Sequence, residues 1–191
     1  MEIRWYDILQ EGGAPSADYL SEERRRRAEA VQVEAARLRT MAGEQLAREM
    51  LSERLGCAPL EVPLAWDEDG KPSVPGTGLY VSVSHSGAYA VCAVDDRPVG
   101  VDVEAVRGVD EKFLRRVCTE EELAYVLRGG DAVRRFWELW TAKEAIFKLT
   151  GQGPLLRLSK LALPADVKVC YQERYGCALT VAWSEREESK A

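Results

Sequence analysis

Residues 79–104 constrain the fold more than any other stretch of this chain. Leu79-Tyr80-Val81-Ser82-Val83-Ser84-His85 alternates side chains with period two, the pattern of a half-buried strand. Ser86-Gly87 breaks the run, and Ala88 to Val94 supplies a second strand. Asp95-Asp96-Arg97-Pro98 turns the chain into a third, Val99-Gly100-Val101-Asp102-Val103-Glu104. The spacing predicts an antiparallel meander.

Helical segments flank it on both sides. Residues 21–55 contain no Pro and no strong turn cluster, with Ser21 and the acidic residues after it as a cap. Leu38, Met41, Ala42 and Leu46 trace the inner stripe, Gly43 breaks or closely packs the helix, and Gly56 ends it. Thr119 with Glu122 forms a capping box for a helix over 119–128. A longer helix is expected over 131–150, with Phe136, Trp137, Trp140, Ala145 and Phe147 on its apolar surface and Gly151 to Pro154 stopping it. Residues 3–9, 167–171 and 177–183 are further strand candidates, and 155–163 read as loop with a possible short strand. The order strand, helix, meander, helix, strands points to two similar α+β halves joined near residue 105. The expected lobes are 1–105 and 106–191.

Composition narrows the function. Across 191 residues, 26 basic side chains face 32 acidic ones, a net charge of -6. That balance gives no general attraction to nucleic acid or anionic lipid. Five cysteines without a CxxC pair and a single histidine exclude a disulfide scaffold and a zinc site of the usual thiolate or imidazole kind. A soluble cytoplasmic protein is expected, with no secretory leader in MEIRWYDILQEGG and no apolar run long enough to span a membrane.

The chemistry-bearing residues are few. Asp102 and Glu104, two apart on a strand, leave one face while Val101 and Val103 leave the other. They are either a solvated strand end or two oxygen ligands for a hard divalent ion. Glu144 and Lys148 share a helix face with Thr141 and Trp137. They are either a surface ion pair or, beside so aromatic a core, charges that need a metal or phosphate. His85 is either structural or a site residue. Its neighbours Ser84 and Ser86 do not make a hydrolase triad, since adjacent strand residues point oppositely and no G-x-S-x-G elbow is present. The Arg24–Arg27 run spans all sides of a helix, so one or two guanidinium groups are available to a phosphate. Neither a G-x-x-x-x-G-K-[ST] loop nor a G-x-G-x-x-G fingerprint occurs.

Three segments, in order, carry a resemblance: Val83-Ser84-His85-Ser86-Gly87, Pro98 to Glu104, and Phe136-Trp137-Glu138-Leu139-Trp140-Thr141-Ala142-Lys143-Glu144-Ala145-Ile146-Phe147-Lys148. Gly70-Lys71-Pro72 and Arg39-Thr40-Met41-Ala42-Gly43 add to it. The set resembles the 4'-phosphopantetheinyl transferases of the surfactin-synthetase-activating type. The resemblance implies an α+β fold of two pseudo-twofold lobes, each a long helix packed on a small antiparallel sheet, with coenzyme A and Mg²⁺ in the cleft between them. It implies transfer of phosphopantetheine to a serine of an acyl or peptidyl carrier protein by a monomer. Asp102, Glu104 and Glu144 are then the magnesium carboxylates, Glu144 the general base, and Lys148 the partner of the leaving phosphate. His85 contacts a phosphate, and Arg39, Gly70, Lys71, Pro72 and Ser84 the adenosine 3'-phosphate end. Arg26 or Arg27 is expected to supply a further phosphate contact. Lys112, Arg115 and Arg116 are candidates for docking an acidic carrier. The alternatives are a metal-dependent hydrolase of coenzyme A and a silent carrier-binding relative.

Overall fold

A computed structural model describes residues 1–10, 13–151 and 167–185. The expected loop at 155–163, the stop at 152–154 and the tail beyond Glu185 lie outside the described residues.

β4 (Tyr80–Ser86) and β5 (Tyr89–Asp95) form the expected antiparallel hairpin. Gly87, at φ +57°, takes the turn position that needs a positive φ. β1 (Glu2–Asp7) pairs along the other edge of β5, giving the order β1-β5-β4. The meander stops there. β6 (Val99–Ala105) leaves β5 and pairs antiparallel with β8 (Cys177–Ser184), which pairs with β7 (Val167–Arg174). The second sheet is therefore β6-β8-β7. The reason lies in two-sided burial. β6 and β8 together present Val99, Val101, Val103, Leu179 and Val181 to one core, where Val91 and Ala93 of β5 meet them from the first sheet.

The helical stretch predicted over 21–55 is two helices, α1 (Glu22–Ala30) and α2 (Glu34–Leu55). Val31 and Val33 are extended, as suits β-branched residues at a break. The bend lets α1 fold back on α2. Arg24 reaches Glu44 at 2.6 Å and lies 4.2 Å over the Trp66 ring, while Arg48 holds the other Glu44 oxygen at 3.1 Å. Glu44 is fully buried and so tolerable only with both partners. Trp66 ends β2 (Ala65–Trp66), which pairs with β3 (Pro72–Ser73) across the predicted turn.

α2 covers the first sheet through Leu46, Ala47, Met50 and Leu51 against Val81, Cys92 and Val94. Each of the larger side chains contributes about 1.5–3 kcal/mol by burial. Gly43 is the close-packing position: a Cβ there would stand 2.8 Å from Val83 Cγ1. In the second half, α3 (Glu111–Val117) was not anticipated, and α4 (Glu120–Leu127) starts at the predicted Thr119–Glu122 capping box. α5 (Ala132–Thr150) packs Ala145, Ile146 and Leu149 on Val167 and Ala182. Each lobe is thus a long helix on a small antiparallel sheet, the architecture the resemblance implies. No helix among the described residues is long and apolar enough to cross a membrane.

Several contacts join the lobes. Val91 and Ala93 of β5 share a core with Val101, Val103, Leu179 and Val181. Tyr175, in the β7–β8 turn, stacks on Tyr89 at 5.3 Å and meets Trp5 edge-on at 5.7 Å. Between β4 and β6 the link is made by side chains, as described below.

Candidate functional site

Parity builds the site. On β6, odd-numbered valines enter the inter-lobe core and Gly100, Asp102 and Glu104 turn to the other side. Gly100 lets α5 approach its backbone closely: a Cβ there would lie 2.1 Å from the Ala145 carbonyl oxygen. That contact brings the Glu144–Lys148 turn of α5 beside the β6 carboxylates. Lys148 Nζ donates to Asp102 Oδ1 at 2.8 Å. The simple pairing of Lys148 with Glu144 on their shared helix face is not what forms.

Asp102 is buried. Its Oδ1 also accepts the Ser84 hydroxyl at 2.9 Å, while Oδ2 is buried with no partner. Glu104 Oε2 accepts the Ser86 hydroxyl at 2.7 Å. Burial, followed by the neighbouring Asp102 charge, raises the Glu104 pKa against the opposing hydrogen bond from Ser86. Glu144 moves further. Burial first, then Asp102 and Glu104, push its carboxyl up to about 7, with Lys148 acting in the opposite sense. Three carboxylates converge, and one of them is protonated through much of the acidic range.

A stability prediction arises here. Between the ordinary carboxylate range and about pH 7, the folded chain holds a proton at Glu144 that the unfolded chain releases. Stability therefore falls as pH rises through that window. Glu144→Gln should remove this slope and leave the variant more stable than the parent at pH 8, by on the order of 3 kcal/mol. Urea unfolding at pH 5 and pH 8 measures it. Equal pH slopes for the two proteins would show that Glu144 is not the strained group.

His85 sits at the exposed end of β4. Protein around the imidazole displaces water, and with the Lys148 and Arg39 charges holds its pKa below the usual histidine range. The electrostatic reach of Arg39 on α2 puts it in the same group. Lys71 and Pro72 line a separate cleft of about 340 Å³ with Tyr80, Pro98, Val99 and Leu149. There Lys71 Nζ donates to the Leu149 carbonyl at 3.4 Å. Gly70, at φ +81°, serves the turn before it. Ser84 is buried under the carboxylates. Arg26 is not gathered with the others: it is exposed on α1 and bonded to Glu22, and Arg27 likewise to Glu23. Four consecutive arginines on a helix cannot share a face: Arg24 turns inward to Glu44, and Arg25, half-buried, donates to the Ala17 carbonyl at 3.0 Å.

Two features went unread in the sequence. Arg107 lies 5.7 Å over Trp137 and lines a cleft of about 240 Å³ with Glu104, Phe113 and Trp140. Ser82, Ser84 and Ser86 stand together on one strand face, a visible alternation whose meaning depended on what lay opposite.

Among the described residues no ready cluster of acidic, histidine or cysteine side chains stands in metal-ligating geometry. The donor set still suits a hard cation. It is all oxygen, and Asp102 Oδ2 is a buried acceptor in want of a charge or donor.

Comparison with known proteins points to one family. Residues 98–188 match the profile of the 4'-phosphopantetheinyl transferase superfamily. The chain is 26% identical over 162 residues to the 4'-phosphopantetheinyl transferase Sfp of Bacillus subtilis (strain 168), covering 83% of this chain and 69% of that protein. It is 34% identical over 139 residues to the 4'-phosphopantetheinyl transferase psf-1 of Bacillus pumilus, covering 71% and 59%. It is 34% identical over 126 residues to the 4'-phosphopantetheinyl transferase HetI of Nostoc sp. (strain PCC 7120 / SAG 25.82 / UTEX 2576), covering 61% and 53%. The chain thus spans little more than half the length of the last two relatives. With the two-lobed fold and the carboxylates where β6 meets α5, these matches place residues 98–188, the part of the chain that carries those carboxylates, in the 4'-phosphopantetheinyl transferase superfamily.

Proposed function

We propose that the protein is a magnesium-dependent transferase of the surfactin-synthetase-activating type, moving 4'-phosphopantetheine from coenzyme A to a carrier-protein serine. The observation that carries this reading is Lys148 bonded to Asp102 where α5 crosses β6, with Glu104 and Glu144 within electrostatic reach of both. In this reading the protein acts as a cytoplasmic monomer whose lobes divide at the turn between β5 and β6, ahead of the expected point near residue 105, because β6 pairs within the second sheet.

Asp102 and Glu104, with Glu144, would hold Mg²⁺. When bound, the ion would supply positive charge that offsets the pyrophosphate's repulsion of an incoming nucleophile. The protein's own groups do the rest. Glu144 takes the proton of the attacking serine hydroxyl, whose own pKa is far too high for it to ionise alone. The serine oxygen forms its bond to the β-phosphorus as the bond to the adenosine 3',5'-bisphosphate oxygen breaks. Lys148 offers its ammonium to the departing phosphate, and His85 and Arg39 add donors and charge for the other phosphates. Lys71 and Pro72 offer the 340 Å³ cleft to the nucleotide end. The cleft beside Glu104 and Trp137 adjoins α3, where Lys112 is exposed, Arg116 lies 5.3 Å over Phe113, and Arg115 is bonded to Glu111. That region is the proposed landing place for the carrier.

Intact-mass spectrometry of apo-carrier proteins incubated with the enzyme, coenzyme A and Mg²⁺ tests this. The expected result is a mass gain of one phosphopantetheine, abolished by EDTA and by Glu144→Ala. Cleavage of coenzyme A with every carrier unchanged would instead indicate a hydrolase, an activity that nothing in the comparisons supports. Binding of coenzyme A without any reaction would indicate a silent relative.

A further inference from the structure

The backbone of β6 has two edges, and among the described residues only one is paired with a strand. Along the free edge, the N–H groups of Val101, Val103 and Ala105 face β4 in the other lobe. Each is received by a serine hydroxyl: Val101 N–H by Ser82 at 2.9 Å, Val103 N–H by Ser84 at 3.2 Å, Ala105 N–H by Ser86 at 3.0 Å. Both numbers rise together along the ladder, so β4 and β6 run in the same direction across it. Buried N–H groups must find an acceptor, and here three side chains replace the missing strand.

The rungs are not equivalent. A serine oxygen that accepts an N–H keeps one proton to give, and accepting strengthens that donation. Ser84 gives its proton to Asp102 Oδ1 and Ser86 gives its own to Glu104 Oε2, in each case the residue just before the one whose N–H it accepts. The Ser82 rung has Gly100 in the corresponding place, with no side chain to hold. Two rungs therefore clamp a carboxylate to the seam between the lobes, while the third only closes the seam. At Asp102 the clamp occupies one oxygen and leaves Oδ2 open.

From this we infer that Ser84 and Ser86 are positioning residues for the metal-binding carboxylates, presetting Asp102 and Glu104 through the same hydroxyls that join the lobes. The inference rests on the proposal that these carboxylates hold a divalent cation. It assigns Ser84 a role beneath the site in place of direct contact with the coenzyme. Partners that orient metal ligands typically govern about one to two orders of magnitude of metal affinity.

Ser82 supplies the control. Ser82→Ala, Ser84→Ala and Ser86→Ala each remove one acceptor from a β6 N–H, and all three should lower Tm by on the order of 5 °C. Mn²⁺ binding, followed by EPR on each full-length protein with and without coenzyme A, separates the roles. Ser84→Ala and Ser86→Ala should weaken Mn²⁺ binding by about tenfold or more, and Ser84→Thr, which keeps the hydroxyl, should restore it. Ser82→Ala should bind Mn²⁺ as the parent does. If all three alanine variants lose stability while binding Mn²⁺ like the parent, the ladder is only a seam and the inference fails. If the parent itself binds no Mn²⁺ under either condition, the metal reading beneath it fails first.

Discussion

Asp102→Asn should lower the rate of phosphopantetheine transfer by on the order of 10³-fold while leaving the protein folded. The substitution keeps the size of a side chain that is only 6% exposed. It also keeps an oxygen able to accept from Ser84 and Lys148, which reach Oδ1 at 2.9 and 2.8 Å. What it removes is the charge. Oδ2, buried with no partner, is the atom best placed to want a cation, and an amide nitrogen there cannot serve one. Losing the Asp102 charge also relieves both other carboxylates, since it raises the pKa of Glu144 and of Glu104. The same variant should therefore titrate Glu144 below its parental value of about 7. Single-turnover transfer and NMR titration of the Glu144 carboxyl read the two effects separately. Activity within fivefold of the parent would remove Asp102 from the site.

Gly100→Ala should be the most destabilising single methyl in the chain's active half. The added Cβ would stand 2.1 Å from the Ala145 carbonyl oxygen, 2.6 Å from the Leu149 nitrogen and 3.0 Å from Leu149 Cβ. Two of these are backbone atoms of a helix, which no rotamer change can move aside. α5 must back away, loosening the Ala145, Ile146, Leu149, Val167 and Ala182 cluster. Overpacking of this kind costs about 3 kcal/mol or more, or roughly 10 °C in Tm for a chain of this size. Transfer should fall further than stability, because the displaced helix carries Glu144 and Lys148. A misplacement of about 1 Å can cost 10²-fold. Gly43→Ala is the comparison, since its Cβ would meet only the Val83 side chain, at 2.8 Å. Thermal melts of both variants decide it: a Gly100→Ala melt no lower than that of Gly43→Ala would mean that α5 yields easily.

Much of this was legible in the chain. Period two over β4, the Thr119 capping box and the stop at Gly56 are local matters, settled by sterics and hydrogen bonds within a few residues. The same periodicity put Asp102 and Glu104 on one face, away from Val101 and Val103. The spacing of Glu144 and Lys148 put that pair on one turn of a helix. Less legible was the break at Val31–Val33, where weak local preference yields to the demand that Arg24 reach Glu44. The arginine run showed the same limit: composition offered four candidates for a phosphate, and folding spent Arg26 and Arg27 on their own helix.

By itself, the sequence determined which residues share a face, because the pitch of a helix and the pleat of a strand are set by neighbouring bonds. It did not determine which strand β6 would join. An antiparallel edge accepts any strand in register, and pairing with β8 lets β6 lay Val99, Val101 and Val103 face to face on Val91 and Ala93 of β5, in one core with Leu179 and Val181. That choice, and nothing local, freed the other edge of β6 for the serines of β4. It also set Asp102 against Lys148 and dried the surroundings of Glu144 until its carboxyl held a proton near neutrality. Charge and desolvation depend on everything within several ångströms, whatever its place in the chain, and so belong to the tertiary structure alone.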